Sequence, residues 1–96
     1  MTDILQVSNP ARVYDNLQKY YPGSRLYLSN RKYKKYRIQR PDGKWSNFGD
    51  IRYEDFTKHL DLKRRDRYLK RATNIPGDWI SDPYSPGVLS ILLLWQ

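Results

Sequence analysis

Residues 33–48 read YKKYRIQRPDGKWSNF, and this stretch decides the fold. Tyr36 and Ile38 alternate with cationic and polar residues, which is typical of a β-strand with one covered and one solvated face. Pro41-Asp42-Gly43 supplies a preset φ and a permissive glycine, as a tight connection requires. A second strand follows at residues 44–48. The stretch predicts a β-hairpin whose solvated face is cationic.

The flanking sequence predicts one more strand and two helices. Asn9-Pro10 combines an N-cap with proline at the first helical position and predicts a helix at about 10–20. Residues 25–29 alternate and are rich in β-forming side chains, which predicts a strand. Asp61 can cap a helix that runs to about Ala72, with Lys and Arg over much of its surface.

Together these elements predict an α+β fold, in which a small antiparallel sheet that includes the hairpin is packed by two or three short helices. A chain of 96 residues can bury one modest core, so we expect a single domain over 1–96. Within it, 1–24 is expected to form an N-terminal helical extension and 25–96 the basic α+β core.

The end of the chain is strongly apolar. Ser85-Pro86 repeats the cap-and-proline signature before residues 88–95, which are apolar on nearly every side. Eight residues are far fewer than the roughly 20 that cross a bilayer, so no membrane span is expected. Two interpretations remain open: a short buried helix, which we favour, or an assembly contact through Val88, Leu92 and Trp95.

Composition excludes several kinds of site. The chain has no cysteine, which rules out disulfides, thiolate metal sites and a cysteine nucleophile. Residues 1–7 carry neither a basic region nor an apolar run of signal-peptide length, so secretion is not expected.

Positive charge is concentrated in the middle of the chain. The formal net charge is +8, and residues 31–71 contain 15 of the 18 Lys and Arg residues but only six of the ten acids. A basic face on a folded body, with an acidic partner, is the favoured interpretation. The alternative is a solvated surface that only keeps the protein soluble.

The hairpin and the second helix hold the candidate binding residues. Cations neutralise phosphates and exposed rings stack on unpaired bases, so their mixture fits nucleic acid or another acidic partner. No helix-turn-helix, zinc-finger or RNA-recognition signature is present, so binding would be non-specific. The alternative is that Tyr36 and Trp45 form the covered face. The cation candidates are Lys34, Lys35, Arg37, Arg40, Lys44, Lys63, Arg64, Arg67, Lys70 and Arg71, and the stacking candidates are Tyr33, Tyr36 and Trp45.

His59 is the only histidine, and it lies in sequence among Glu54, Asp55 and Asp61. Without a second histidine or any cysteine, a zinc site is not expected. Asp61 is already assigned as a helix cap, and the sequence fixes no converging carboxylates. We therefore predict no catalytic residue, no metal and no cofactor, and a protein that is not an enzyme.

An ordered set of short motifs carries a family resemblance. The motifs are Lys35-Tyr36, Gly43-Lys44 through Phe48-Gly49, YEDFTKH at 53–59 with Asp61, Arg64-Arg65 with Tyr68, Asp78-Trp79, PYSP at 83–86 with Leu89-Ser90, and Leu93-Leu94-Trp95. Over about residues 31–95 the chain resembles small basic proteins of large eukaryotic DNA viruses of the mimivirus, chlorovirus and iridovirus kind.

The resemblance implies a viral product, made in the host cytoplasm and packed in the virion, with no established activity or catalytic residues. In that setting the expected function is a non-catalytic minor capsid or cementing protein that binds capsid proteins. The alternative is a sequence-non-specific DNA- or RNA-binding protein associated with the packaged genome.

Overall fold

The structure is a computed structural model that describes residues 3–96. The predicted hairpin is present, as β2 (Lys34–Gln39) and β3 (Trp45–Asp50). The strands are antiparallel, with Tyr36 opposite Phe48 and Gln39 opposite Trp45. Gly43 has a φ of 87°, a conformation that favours glycine in the connection.

A third strand completes the sheet. β1 (Tyr27–Leu28) pairs antiparallel with β2, so the strand order is β1-β2-β3. The predicted strand at 25–29 is thus present but shorter. Such a short edge strand offers few free backbone groups to another chain.

Side-chain caps begin the helices of the first three quarters of the chain. Asp3 caps α1 (Ile4–Val7), and Asn9 caps α2 (Pro10–Tyr20), whose bounds match the prediction. Asp55 caps the one-turn α3 (Phe56–His59). Asp61 accepts hydrogen bonds from two backbone N–H groups of α4 (Leu62–Thr73), as predicted.

The C-terminal quarter is a chain of short turns. A 3₁₀ turn (Trp79–Ser81) leads to α5 (Pro86–Leu89), which Ser85 caps. A π-helical turn (Ser90–Leu94) follows directly. The short helix predicted near the end of the chain is therefore present, but it begins at Pro86 and changes its hydrogen-bond pattern halfway.

One core joins the two ends of the chain to the sheet. Its members are Val13, Leu17, Tyr21, Tyr36, Ile38, Phe48, Leu89, Leu93 and Leu94. Because α2 contributes Val13 and Leu17, and its C-cap residue Tyr21 is also a member, this helix is part of the core and not an extension from it. No helix in residues 3–96 is long and apolar enough to cross a membrane. The α+β prediction is confirmed.

Candidate nucleic-acid interface

Six of the ten predicted cations are available at the surface. Each is exposed, and in the described part of the chain none lies within ion-pair distance of an acid. They come from the hairpin and from α4: Lys34, Lys44, Lys63, Arg67, Lys70 and Arg71.

Lys35 was expected on the solvated face, and this prediction is wrong. Its side chain is buried, and Nζ donates to Asp55 Oδ2 at 3.0 Å and to the Val7 carbonyl at 3.4 Å. Burial lowers the pKa of Lys35, and the neighbouring Asp55 carboxylate opposes that shift. Lys35 therefore cannot reach an external phosphate.

Two other predicted cations are held by acids of the chain. Arg40 donates to Asp82 at 3.1 Å and also approaches the Tyr84 carbonyl. Arg64 donates to Glu54 at 3.1 Å in a pair that is exposed to solvent. These contacts correct the prediction that both are free: Arg40 helps to anchor the C-terminal turns, and Arg64 would have to exchange its partner to bind a phosphate.

Along α4 the free cations form a stripe. Lys63, Arg67 and Lys70 follow at spacings of four and three residues, which places them on one side of the helix. Ala72 is the one buried residue of this helix. Leu62, at the start of the helix, is exposed. The helix thus presents charge along most of its length.

A cleft of about 320 Å³ brings the hairpin and α4 together. Lys34 and Arg71 line it, beside the exposed ring of Tyr53. The acids at the cleft already have partners: Asp50 accepts from Arg52, Glu54 from Arg64 and Asp55 from Lys35. The Arg52 hydrogen bonds lower the pKa of Asp50. The cleft therefore holds two cations without acidic partners.

Lys34 also borders a larger depression of about 890 Å³, lined further by Arg31, Lys32 and Arg52. Tyr33 lies among these cations, with Lys32 Nζ 5.0 Å and the Arg52 guanidinium 4.5 Å from its ring. The ring is exposed, as a stacking candidate must be. Arg31, Lys32 and Arg52 are not among the candidate cations predicted from the sequence, although Arg31 and Lys32 extend the basic run that precedes β2.

The other two stacking candidates lie on opposite faces of the sheet. Tyr36 is fully buried, and its hydroxyl donates to Ser8 Oγ at 2.7 Å, so the stacking prediction is wrong for this ring. Trp45 is 41% exposed and carries the Arg37 guanidinium 4.3 Å from its ring centroid. Tyr27, which is not among the stacking candidates predicted from the sequence, contacts Trp45 edge to face, with 5.5 Å between the ring centroids.

His59 packs in an aromatic cluster. Its ring lies 5.3 Å from Trp95 and 6.0 Å from Phe56, and Nδ1 accepts from the Asp61 backbone N–H. Burial, followed by the charge of Arg64, lowers the pKa of His59. Within residues 3–96 no three His, Asp or Glu side chains are grouped as a metal site.

The apolar C-terminal segment mostly faces inward. Leu93 and Leu94 are buried in the core, while Val88, Leu92 and Trp95 are partly buried. The Trp95 ring stacks on Tyr68 at 4.0 Å and 8°. The core interpretation is thus correct for Leu93 and Leu94, while Val88, Leu92 and Trp95 keep part of their surface exposed.

The chain belongs to a family of unknown function, DUF5754, whose model matches residues 24–72, just over half of the sequence. That range contains the sheet, α3 and all of α4 except its last residue, and with them all ten predicted cations. No curated protein and no solved structure matches the chain.

Proposed function

We propose that this protein binds nucleic acid without reading its sequence and performs no catalysis. The observation that carries the proposal is the cleft in which Lys34 of the hairpin and Arg71 of α4 lie together without acidic partners. Cations spread over two elements can contact several phosphate groups along a nucleic-acid backbone. Each such contact favours binding because it releases a counterion from the nucleic acid. The depression around Tyr33 and the stripe on α4 extend this surface.

The resemblance to proteins of large DNA viruses supplies a setting for this binding. A virion protein made in the host cytoplasm would meet the packaged genome or a transcript. A minor capsid or cementing role through Val88, Leu92 and Trp95 is less favoured, because all three side chains are partly buried and those of Leu92 and Trp95 pack against the core. Mass spectrometry of purified, nuclease-treated particles tests the setting: absence from the particle would exclude a virion role.

Salt titration of duplex DNA binding tests the proposal itself. Log K should fall linearly with log salt, by about 0.9 for each phosphate neutralised. If all six free cations make contacts, affinity should drop roughly a thousandfold between 50 and 200 mM salt. Lys34→Gln and Arg71→Gln should each reduce the slope by about one, whatever the DNA sequence.

Lys19→Gln is the matched control. Lys19 is exposed on α2, so the substitution removes the same formal charge from outside the proposed surface. It should leave the slope nearly unchanged. An equal loss in Lys19→Gln and Lys34→Gln would show that net charge, not this surface, governs binding. A flat salt response, or no binding at low salt, would refute nucleic acid as the partner.

A further inference from the structure

We infer that the outer face of the sheet, formed by Tyr27, Arg37 and Trp45, stacks unpaired bases and gives the protein a preference for single-stranded nucleic acid. This inference rests on the proposed function, since the cations must first hold a backbone near the sheet. It adds a site for unpaired bases to a surface whose proposed cation contacts are with phosphates.

The strand register places these three side chains together. Tyr27 lies opposite Arg37 in the β1–β2 ladder, and Arg37 is a diagonal neighbour of Trp45 across β2 and β3. Side chains alternate between faces along a strand, so the three lie on the face opposite the buried Tyr36 and Ile38. The contacts of 4.3 Å from Arg37 to Trp45 and 5.5 Å from Tyr27 to Trp45 agree with this assignment.

Exposure and order make this face suitable for stacking. Tyr27 is 40% and Trp45 41% exposed, whereas Tyr36 and Ile38 on the opposite face of the sheet are fully buried. Their mutual contacts hold the rings in one arrangement, so less freedom is lost when a base arrives. Arg37 adds a planar guanidinium, which also stacks on bases.

A neighbouring cation completes the site. Lys44 precedes Trp45 in the chain, is exposed, and has no acidic partner in the described residues. A phosphate held by Lys44 would bring the attached nucleotide close to the rings. Bases of a duplex are paired and stacked on one another, and only an unpaired base can present its face to Trp45.

The alternative is that the three side chains only stabilise the hairpin through cross-strand contacts. The two interpretations differ in one respect. If the rings stack on bases, their removal should weaken binding only where bases are present and unpaired. If they are structural, their removal should change the stability of the fold and affect all nucleic-acid ligands alike.

The test compares three probes of equal length: oligothymidylate, its abasic single-stranded counterpart, and a duplex. Trp45→Leu and Tyr27→Leu should each weaken oligothymidylate binding, by about tenfold for Trp45→Leu, because stacking on one ring is worth roughly that factor. Binding of the abasic strand and the duplex should stay within about twofold. Tyr14→Leu, which removes an exposed tyrosine from α2, is the matched control and should bind all three as the unchanged protein does.

Thermal unfolding of each variant accompanies the titrations. If Trp45→Leu does not fold, Tyr27→Leu on the exposed edge strand decides the question alone. Equal losses of affinity for oligothymidylate and the abasic strand, or no loss for either, would overturn the stacking site. The proposed function would still hold in that case if binding depended on salt. If the protein bound none of the three probes at low salt, both the stacking site and the proposed function would be overturned.

Discussion

Asp55→Asn should destabilise the protein by several kcal/mol, although it only replaces one carboxylate oxygen by an amide nitrogen. Asp55 is buried and forms an ion pair of 3.0 Å with the buried Lys35. It also caps α3 by accepting from the backbone N–H and the hydroxyl of Thr57. Asparagine is an equally good N-cap, so the cap survives and the substitution isolates the effect of the charge.

The magnitude follows from the surroundings of Lys35. Without the carboxylate, the ammonium retains only the long hydrogen bond of 3.4 Å to the Val7 carbonyl in a buried position. Breaking a buried ion pair by removing one partner costs about 3–5 kcal/mol. For a domain of this size, each kcal/mol lowers Tm by roughly 4–8 °C, so Asp55→Asn should lower Tm by at least about 12 °C.

Urea unfolding provides the measurement, with Asp50→Asn as the matched control. Asp50 pairs with Arg52 at 2.8 Å on the surface, where the same substitution should cost about 0–1 kcal/mol. Adding Lys35→Met to Asp55→Asn removes the stranded charge and should recover most of the lost stability. If Asp55→Asn costs no more than Asp50→Asn, or if the double variant is as unstable as Asp55→Asn, the reasoning about the buried pair is wrong.

Two further predictions concern the C-terminal segment and His59. Leu93→Ala should lower the free energy of unfolding in urea by about 2–5 kcal/mol because Leu93 is fully buried. Leu62→Ala, at an exposed leucine, should change it by no more than about 0.5 kcal/mol. Equal effects of the two substitutions would refute the core assignment. The pKa of His59 in the folded state lies below its ordinary value of 6.5, so the unfolded chain binds the proton more readily. The contribution of His59 to the free energy of unfolding should therefore be fully present above pH 6.5 and be lost as the pH falls through the folded-state pKa. His59→Gln should flatten that decline while costing on the order of 1 kcal/mol, and an unchanged pH profile would contradict the assignment.

Local chemistry made part of the fold predictable from the sequence. The turn at Gly43 and the caps at Asn9 and Asp61 each depend on residues within four positions of one another, and the structure has the hairpin and both helices where those signals predict them. The binary pattern also assigned Tyr36 and Ile38 to the covered face, which the structure confirms.

The candidate site was less predictable because it depends on pairings between distant residues. Alternation predicts that Lys35 points away from Tyr36, but not that Asp55, 20 positions later, and the Val7 carbonyl meet it in a buried position. Tyr27 joined the stacking face only through its register opposite Arg37, which no local signal specifies. A sequence identifies cations readily, but the tertiary fold decides which of them are already paired.

The proposed binding residues lie inside residues 24–72, the segment that matches the family, whereas many of the core side chains that stabilise this surface lie outside it. Every proposed contact from Tyr27 to Arg71 lies inside that segment. The apolar side chains that cover the inner face of its sheet come from outside it, from Val13 and Leu17 on one flank and Leu89 and Leu93 on the other. A small sheet needs a packed apolar face to be stable, and here the side chains that cover that face come largely from outside the matched segment. Changes to the flanks should therefore alter binding by loosening the hairpin and α4, and changes to the exposed cations should alter it with the core intact.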